Sequence, residues 1–446
     1  MSLRKLPKVD FLLEDSLIKD AVEHYSHAHV VKTIRGVLER QRERFVKNEP
    51  YTTAPSELVQ MVLSELDYDY SLKPVINGTG VVIHTNLGRS VLPEEIFDHV
   101  KNIATNYSNL EFDLKTGKRG SRYHHLVNIL KELTGAEDAH IVNNNAAAVL
   151  LVLKALASEK KVVVSRGELV EIGGSFRIPD VMSISGAKLI EVGTTNKTHG
   201  YDYERAVDED TVMLMKVHQS NFYMEGFTSE VDITEMKEIA EKKKVLLYED
   251  MGSGYITGSS VLKDIDLKER LQRVDLLSIS GDKLLGSVQA GIILGRKELI
   301  EKLKKDQLTR ALRVDKLTRS ALEASLKIYL EREGKGIPTV DLLERKAEEL
   351  VEKSEAFITQ LQTDQVSIVM GDSLVGGGTL PKVKIKSPKI HLTHENPQAF
   401  VDALRSSEIP IIVTLSDNKV VLDLRCVFDR DIPYLIETFN RLEESL

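Results

Sequence analysis

The sequence predicts an α/β fold: a large domain with a mostly parallel sheet covered by helices, a small helical domain before it and a small α+β domain after it. Three observations predict it. Strand-like apolar runs alternate with helical periods from about residue 75 for more than two hundred residues. The stretch before them carries helical spacing alone. A break, GKGIP at 334–338, separates the alternating region from a mixed one. The 446 residues exceed what one ordinary core holds, so the expected domains are 1–70, 71–333 and 334–446.

Residues 1–70 hold LEDSLIKDAV and HVVKTIRGVLERQRERFV, with apolar residues three and four apart and charges between. Pro50 and Pro55 punctuate the stretch, and Ser56 is placed to cap a helix beginning ELVQMVLSEL. Ten Lys/Arg against eight Asp/Glu in the first fifty residues give +2, which by itself reads as a solvated helical face. Next come the strand-like runs VVIHT, HIVNN, KVVVSRG, AKLIEVG, TVMLMKVH, VLLYED, VDLLSISG and AGIILG, with helices AAAVLLVLKALA and ITEMKEIAEKKK among them. A basic helix-like segment fills 296–333. Beyond the break, a helix leads into short strands PKVKIK, IPIIVTLS and KVVLDLRC, and the last helix is PYLIETFNRLEES.

Bulk composition excludes several classes. With 29% charged residues and a net charge of −8, any nucleic-acid footprint must be local. The single cysteine, Cys426, excludes an intrachain disulfide and a multi-cysteine metal site. No secretory h-region opens the chain and no apolar run reaches spanning length, so a cytoplasmic protein with no membrane contact is expected. No GxGxxG follows the first strands, which argues against a dinucleotide-binding protein.

The polar clusters fall at the carboxyl ends of the strands, where ligands of such sheets bind. In SISGDKLLG, Lys283 follows a buried-type strand and is fenced by Ser280, Gly281, Asp282 and Gly286. A lysine so confined is a nucleophile rather than a surface charge. Asp250 ends the earlier strand VLLYED. Alone it reads as a turn cap. Paired with a strand-end lysine it fits pyridoxal phosphate (PLP) chemistry, in which the lysine holds the cofactor and a carboxylate faces the pyridine nitrogen. IVNNNAAAV offers a helix start for the phosphate, on the N–H groups near Asn144, Asn145 and Ala146. Ser280 and Asp282 join the cofactor contacts, Ser280 through its hydroxyl. In HQSN, Asn221 or Ser220 is placed to bond the ring's phenolic oxygen, with His218 nearby. Arg166 or Glu168 is expected beside the ring. Phosphate turn, ring contacts, aspartate, lysine and small C-terminal domain follow in the order of a fold-type I PLP enzyme.

Longer phrases add a resemblance. INGTGVVIHTNLGRSVLP, YSNLEFDLKTGKRGSR, SRGELVEIGGSFRIPD, EVGTTNKT, HQSNFYMEGF, SGDKLLG, RALRVDKLT and GGGTLP make the chain similar to the bacterial selenocysteine synthases, the L-seryl-tRNA(Sec) selenium transferases, from residue 76 to about 380. The resemblance implies conversion of seryl-tRNA(Sec) to selenocysteinyl-tRNA(Sec) with selenophosphate, through an aminoacrylyl-tRNA. It places the family's PLP lysine on Lys283 and its donor-binding arginines on Arg89, Arg310 and Arg313. It implies that residues 1–70 grip the tRNA and that dimers assemble into a ring-shaped homodecamer. Arg310 and Arg313, three apart, would share a face if helical. One departure stands out: GSVQAG at 286–291 replaces the family's GGPQAG, in a turn that in related folds reaches a neighbouring subunit's cofactor phosphate. Two other readings compete: a PLP-dependent β- or γ-lyase acting on a free amino acid, and a catalytically silent RNA-binding paralogue.

Overall fold

The computed structural model describes residues 6–66, 70–173, 176–256, 266–381 and 383–445. The chain parts into two compact units, 1–74 and 75–446.

In the first unit, helices Val9–Leu13, Ser16–His24, His27–Val46 and Pro55–Leu66 enclose a core that includes Leu12, Ile18, Ile34, Val37, Leu58 and Val62. Asp15 and Ser26 cap two of them through their side chains. The fourth begins two residues earlier than its sequence suggests. Pro55 occupies the first turn, where its missing N–H costs nothing, so Ser56 lies inside the helix and is not its cap.

The second unit is built on a seven-stranded sheet. Its spatial order is Asp138–Val142, Gly291–Gly295, Leu276–Ser280, Leu246–Gly252, Thr211–Val217, Lys161–Ser165 and Lys188–Val192. Gly291–Gly295 runs antiparallel to both neighbours, and the other pairings are parallel. The runs DAHIV, LLSIS and GIILG are buried throughout, as strands covered on both faces must be. Helix Asn145–Ala157 packs Val149, Leu151, Val152 and Leu153 against Met213, Met215 and Ile293 on one face. Helix Ile233–Lys243 covers the other with Ile233, Met236 and Ile239.

Toward the C-terminus, Val366–Leu374, Lys384–Leu392, Lys419–Leu422 and Thr414–Ser416 form an antiparallel sheet. Helices Ala347–Ile358, Pro397–Arg405 and Ile432–Ser445 add Phe357, Phe400 and Phe439 to its core, packed edge-on. Among the described residues, no helix is long and apolar enough to cross a membrane.

Two local expectations are corrected, and one strand went unexpected. VVIHT is not a strand of the large sheet: Gly80 turns with φ 76°, Val81 bridges Leu374, and the chain coils into a 3-10 turn at Thr85–Leu87. The edge strand Val366–Leu374 has too little clean alternation to be read from sequence. The segment 296–333 is three helices, Lys297–Lys305, Leu308–Ala311 and Lys316–Arg332, because Asp306 and Asp315 stop or restart it.

Candidate active site

Strand Leu276–Ser280 delivers Lys283 into the interior, where it is 7% exposed. Gly281 makes the turn possible. Its N–H donates to the Ala290 carbonyl at 2.8 Å, and a Cβ there would stand 2.5 Å from the Val288 carbonyl. Burial pushes the Lys283 amine below its usual pKa, and the Arg89 charge pushes it further, against Asp250 and Asp282. Nζ makes no hydrogen bond or ion pair among the described residues. A Cβ at Gly378 would stand 3.1 Å from it, so the GGGTLP turn forms a wall of the amine's niche.

Asp250 ends the neighbouring strand, buried. Asn145 Nδ2 donates to its Oδ1 at 2.7 Å, and Ser278 Oγ lies 3.4 Å from the same oxygen. Burial raises its carboxyl pKa, opposed by the Asn145 bond first and the Lys283 charge second. Its carbonyl accepts from the His218 N–H at 3.0 Å, tying the HQSN segment to this strand end.

Helix Asn145–Ala157 begins beside this pair. Asn144 caps it, its side chain accepting from Ala147 N–H at 2.8 Å. Asn143 N–H is spent on the Leu312 carbonyl at 2.9 Å. The N–H groups of Asn144, Asn145 and Ala146 take no acceptor among the described residues, which leaves an anion cradle of three donors at a helix start. Gly291 lies beneath this turn, where any Cβ would overlap the Asn144 carbonyl.

Arg89 follows Gly88 in a tight loop and holds a left-handed φ of 63°, strained for a residue with a Cβ. Its Nη1 donates to Asp282 Oδ2 at 2.7 Å. The other Asp282 oxygen accepts from Ser280 Oγ at 2.5 Å. Ser90 Oγ lies 2.7 Å from the carbonyls of both Asp282 and Lys283. The loop is thus clamped to the turn that carries the lysine.

The remaining expected residues divide. Arg310 and Arg313 are exposed, and helix Leu308–Ala311 ends before Arg313, so the two do not share a helical face. Leu312 between them bonds the Asn143 N–H, which ties their segment to the helix-start turn. Asn221 is exposed and donates to the Glu171 carbonyl at 2.6 Å, while Ser220 is buried in a tight turn, its N–H on the His218 carbonyl. Glu168 is buried and committed to Lys216 at 2.8 Å and to Val217 N–H at 2.9 Å. Arg166 is exposed and pairs with Glu191 at 3.1 Å. Of the three candidate ring neighbours, His218 is the one that senses the Lys283 charge: burial, then Arg270, Lys216 and Lys283, push its pKa down to about 4. Gly174 and Ser175 of the same polar stretch lie outside the described residues.

In GSVQAG, Gly286 takes φ 66° and its N–H reaches the Lys283 carbonyl at 2.9 Å. Ser287 donates its N–H to the Gly281 carbonyl and is buried. The turn therefore closes on itself without a proline. Sequence reasoning missed three contributors: the Asn145 side chain, Ser90 and Gly378. Only the last had a signal, three successive glycines.

The family model described as L-seryl-tRNA selenium transferase matches residues 75–428, and that described as selenocysteine synthase N terminal matches residues 3–42. The L-seryl-tRNA(Sec) selenium transferase of Clostridium botulinum (strain Loch Maree / Type A3) is 44% identical over 99% of this chain and 98% of its own length. That of Aliarcobacter butzleri (strain RM4018) is 44% identical over 99% of both chains, and that of Alkaliphilus oremlandii (strain OhILAs) 42% over 98% of both. Among solved structures, D-glucosaminate-6-phosphate ammonia-lyase superposes with a TM-score of 0.63 at 19% identity, over 84% of this chain and 96% of that one. At that identity the likeness shows the fold, which is the type I arrangement expected from the order of the motifs. Matched over nearly its whole length by close homologues and by both family models, the chain belongs to the L-seryl-tRNA(Sec) selenium transferase family.

Proposed function

We propose that this protein is a PLP-dependent enzyme that converts L-seryl-tRNA(Sec) to L-selenocysteinyl-tRNA(Sec), with selenophosphate as selenium donor. The observation that carries it is a buried lysine amine with a lowered pKa, set beside a buried aspartate and a helix start with three uncommitted N–H groups. These residues fit PLP: an amine for its aldehyde, a carboxylate for its ring nitrogen and an anion cradle for its phosphate. When bound, PLP supplies the electron sink that lets the seryl hydroxyl leave and selenium take its place.

The chain's own groups do the rest. Lys283 Nζ, whose pKa burial and Arg89 lower, would hold the cofactor through its aldehyde and is the base placed to take the Cα proton. Asp250 would pair with the ring nitrogen. The N–H groups of Asn144, Asn145 and Ala146 would hold the phosphate, and Ser280 and Asp282 would complete the cofactor contacts. Arg89, Arg310 and Arg313 offer guanidinium forks to the anionic selenium donor. Asn221 or Ser220 would bond the phenolic oxygen.

Residues 1–70 grip the tRNA, 71–333 form the catalytic domain and 334–446 the small one. The assembly is a ring-shaped homodecamer of dimers, in the cytoplasm.

The visible spectrum of the protein with PLP tests this reading. A band that shifts with seryl-tRNA(Sec) but not with free serine, and is absent in Lys283→Ala, is expected. A band that answers to free amino acids alone would indicate a lyase, and one unchanged in Lys283→Ala would overturn the assignment of the lysine.

A further inference from the structure

We propose that Asn145 is a positioning residue: it orients Asp250, with Ser278, so that one carboxylate oxygen is held by the protein and the other is presented to the cofactor's ring nitrogen. The inference rests on the PLP reading above and assigns the Asn145 side chain a role separate from its backbone N–H.

The carboxyl group of Asp250 is buried, and burial favours its neutral form. A neutral carboxyl makes a poor counter-ion for a protonated ring nitrogen. Donors fixed on the carboxylate restore the charged form. Asn145 Nδ2 at 2.7 Å is the strong one. Ser278 Oγ at 3.4 Å is the weak one, and its own oxygen lies 2.7 Å from the buried Tyr248 hydroxyl. Burial and the Asp250 charge keep that tyrosine protonated, so it can donate to Ser278 and leave the serine proton for the aspartate. Both side chains meet Oδ1, and the Gly252 N–H also favours the charged carboxylate. Oδ2 takes no side-chain hydrogen bond among the described residues.

Asn145 is an odd choice for structure alone. Asn144 already caps the helix, so the Asn145 side chain is not needed for capping. Its Oδ1 is buried with no partner in the described structure, a destabilising feature that a purely structural position would shed. The arrangement is explained if the amide is kept for what its nitrogen does to Asp250.

The test uses the full-length protein loaded with PLP. The visible band is titrated with pH, and the PLP dissociation constant is measured by dialysis, in Asn145→Ala, Asn145→Ser, Ser278→Ala and Asp250→Ala, with the double variant Asn145→Ala/Asp250→Ala. A positive ring nitrogen lowers proton affinity elsewhere in the conjugated system. Weakening Asp250 should therefore move the spectral transition of Asn145→Ala upward by about one pH unit and weaken PLP binding about tenfold. Asn145→Ser, which keeps a donor, should recover part of both. In the Asp250→Ala background, loss of Asn145 should add nothing to the spectral shift.

If Asn145→Ala melts earlier but keeps the wild-type spectral transition and PLP affinity, its role is structural and the proposal fails. The same follows if its spectral effect is undiminished without Asp250. Absence of a PLP band from the wild-type protein itself would overturn the functional reading, and this inference with it.

Discussion

Lys283 is a balance of opposing charges, and the balance can be tilted one residue at a time. Burial and Arg89 push its amine toward the neutral form, while Asp250 and Asp282 favour the ammonium. Arg89→Gln removes one push and also frees Asp282 from its ion pair, so both changes raise the lysine's pKa. The rate of PLP uptake by the apo-protein, which needs the free amine, should then rise with pH along a curve displaced to higher pH than that of wild type. Stopped-flow absorbance across pH 6–10 measures the displacement. At this scale the sequence was uneven. The nearness of Lys283 and Asp250 was legible, because each follows or ends a buried-type strand run, although the aspartate alone reads as a turn cap. Glu168 was not separable from a ring contact, because its partner Lys216 lies far along the chain and pairs with it only through the sheet. Asn145 showed its place at a helix start but not the direction of its side chain.

Elements were read more reliably than single contacts, since periodicity averages over many residues. The helix Asn145–Ala157 was visible as an apolar run after a polar turn, and its cap is Asn144. Asn144→Ala should cost about 1 kcal/mol of stability from the lost cap, measurable by urea denaturation. It should also loosen the turn that presents three N–H groups, and so weaken PLP retention more than that loss of stability explains. Failures came where a short element is set by its neighbours. RALR looked continuous with the helices around it, yet Leu308–Ala311 ends before Arg313, and the Leu312 carbonyl turns to meet Asn143. VVIHT has the composition of a strand but lies against the C-terminal layer, a pairing set by residues some three hundred positions away.

For the whole molecule, the strand–helix alternation gave the large sheet, because buried parallel strands are near-continuous apolar runs. The edge strand Val366–Leu374 escaped for the opposite reason, being half exposed and irregular. One buried group bears on global stability. His140 is fully buried, and burial, with Lys304 and Arg319, pushes its pKa down to about 3 against the pull of Asp138. The unfolded chain then takes up this proton first. Its contribution is full above pH 6.5 and falls by about 1.4 kcal/mol per pH unit as acid is added, toward pH 3. His140→Gln should flatten the acid limb of a plot of urea midpoint against pH, and an unchanged slope would assign acid sensitivity to other groups. The glycine wall at Gly378 has a further consequence, one of timing. The lysine is synthesised well before that wall, and before the C-terminal strands that anchor the Val81 segment. On the ribosome, Lys283 therefore begins as an ordinary hydrated amine. The Gly378 side of its niche closes only when the later part of the chain folds over it, so a chain truncated before that turn should carry a more basic, less reactive lysine, which the pH dependence of its PLP uptake would measure.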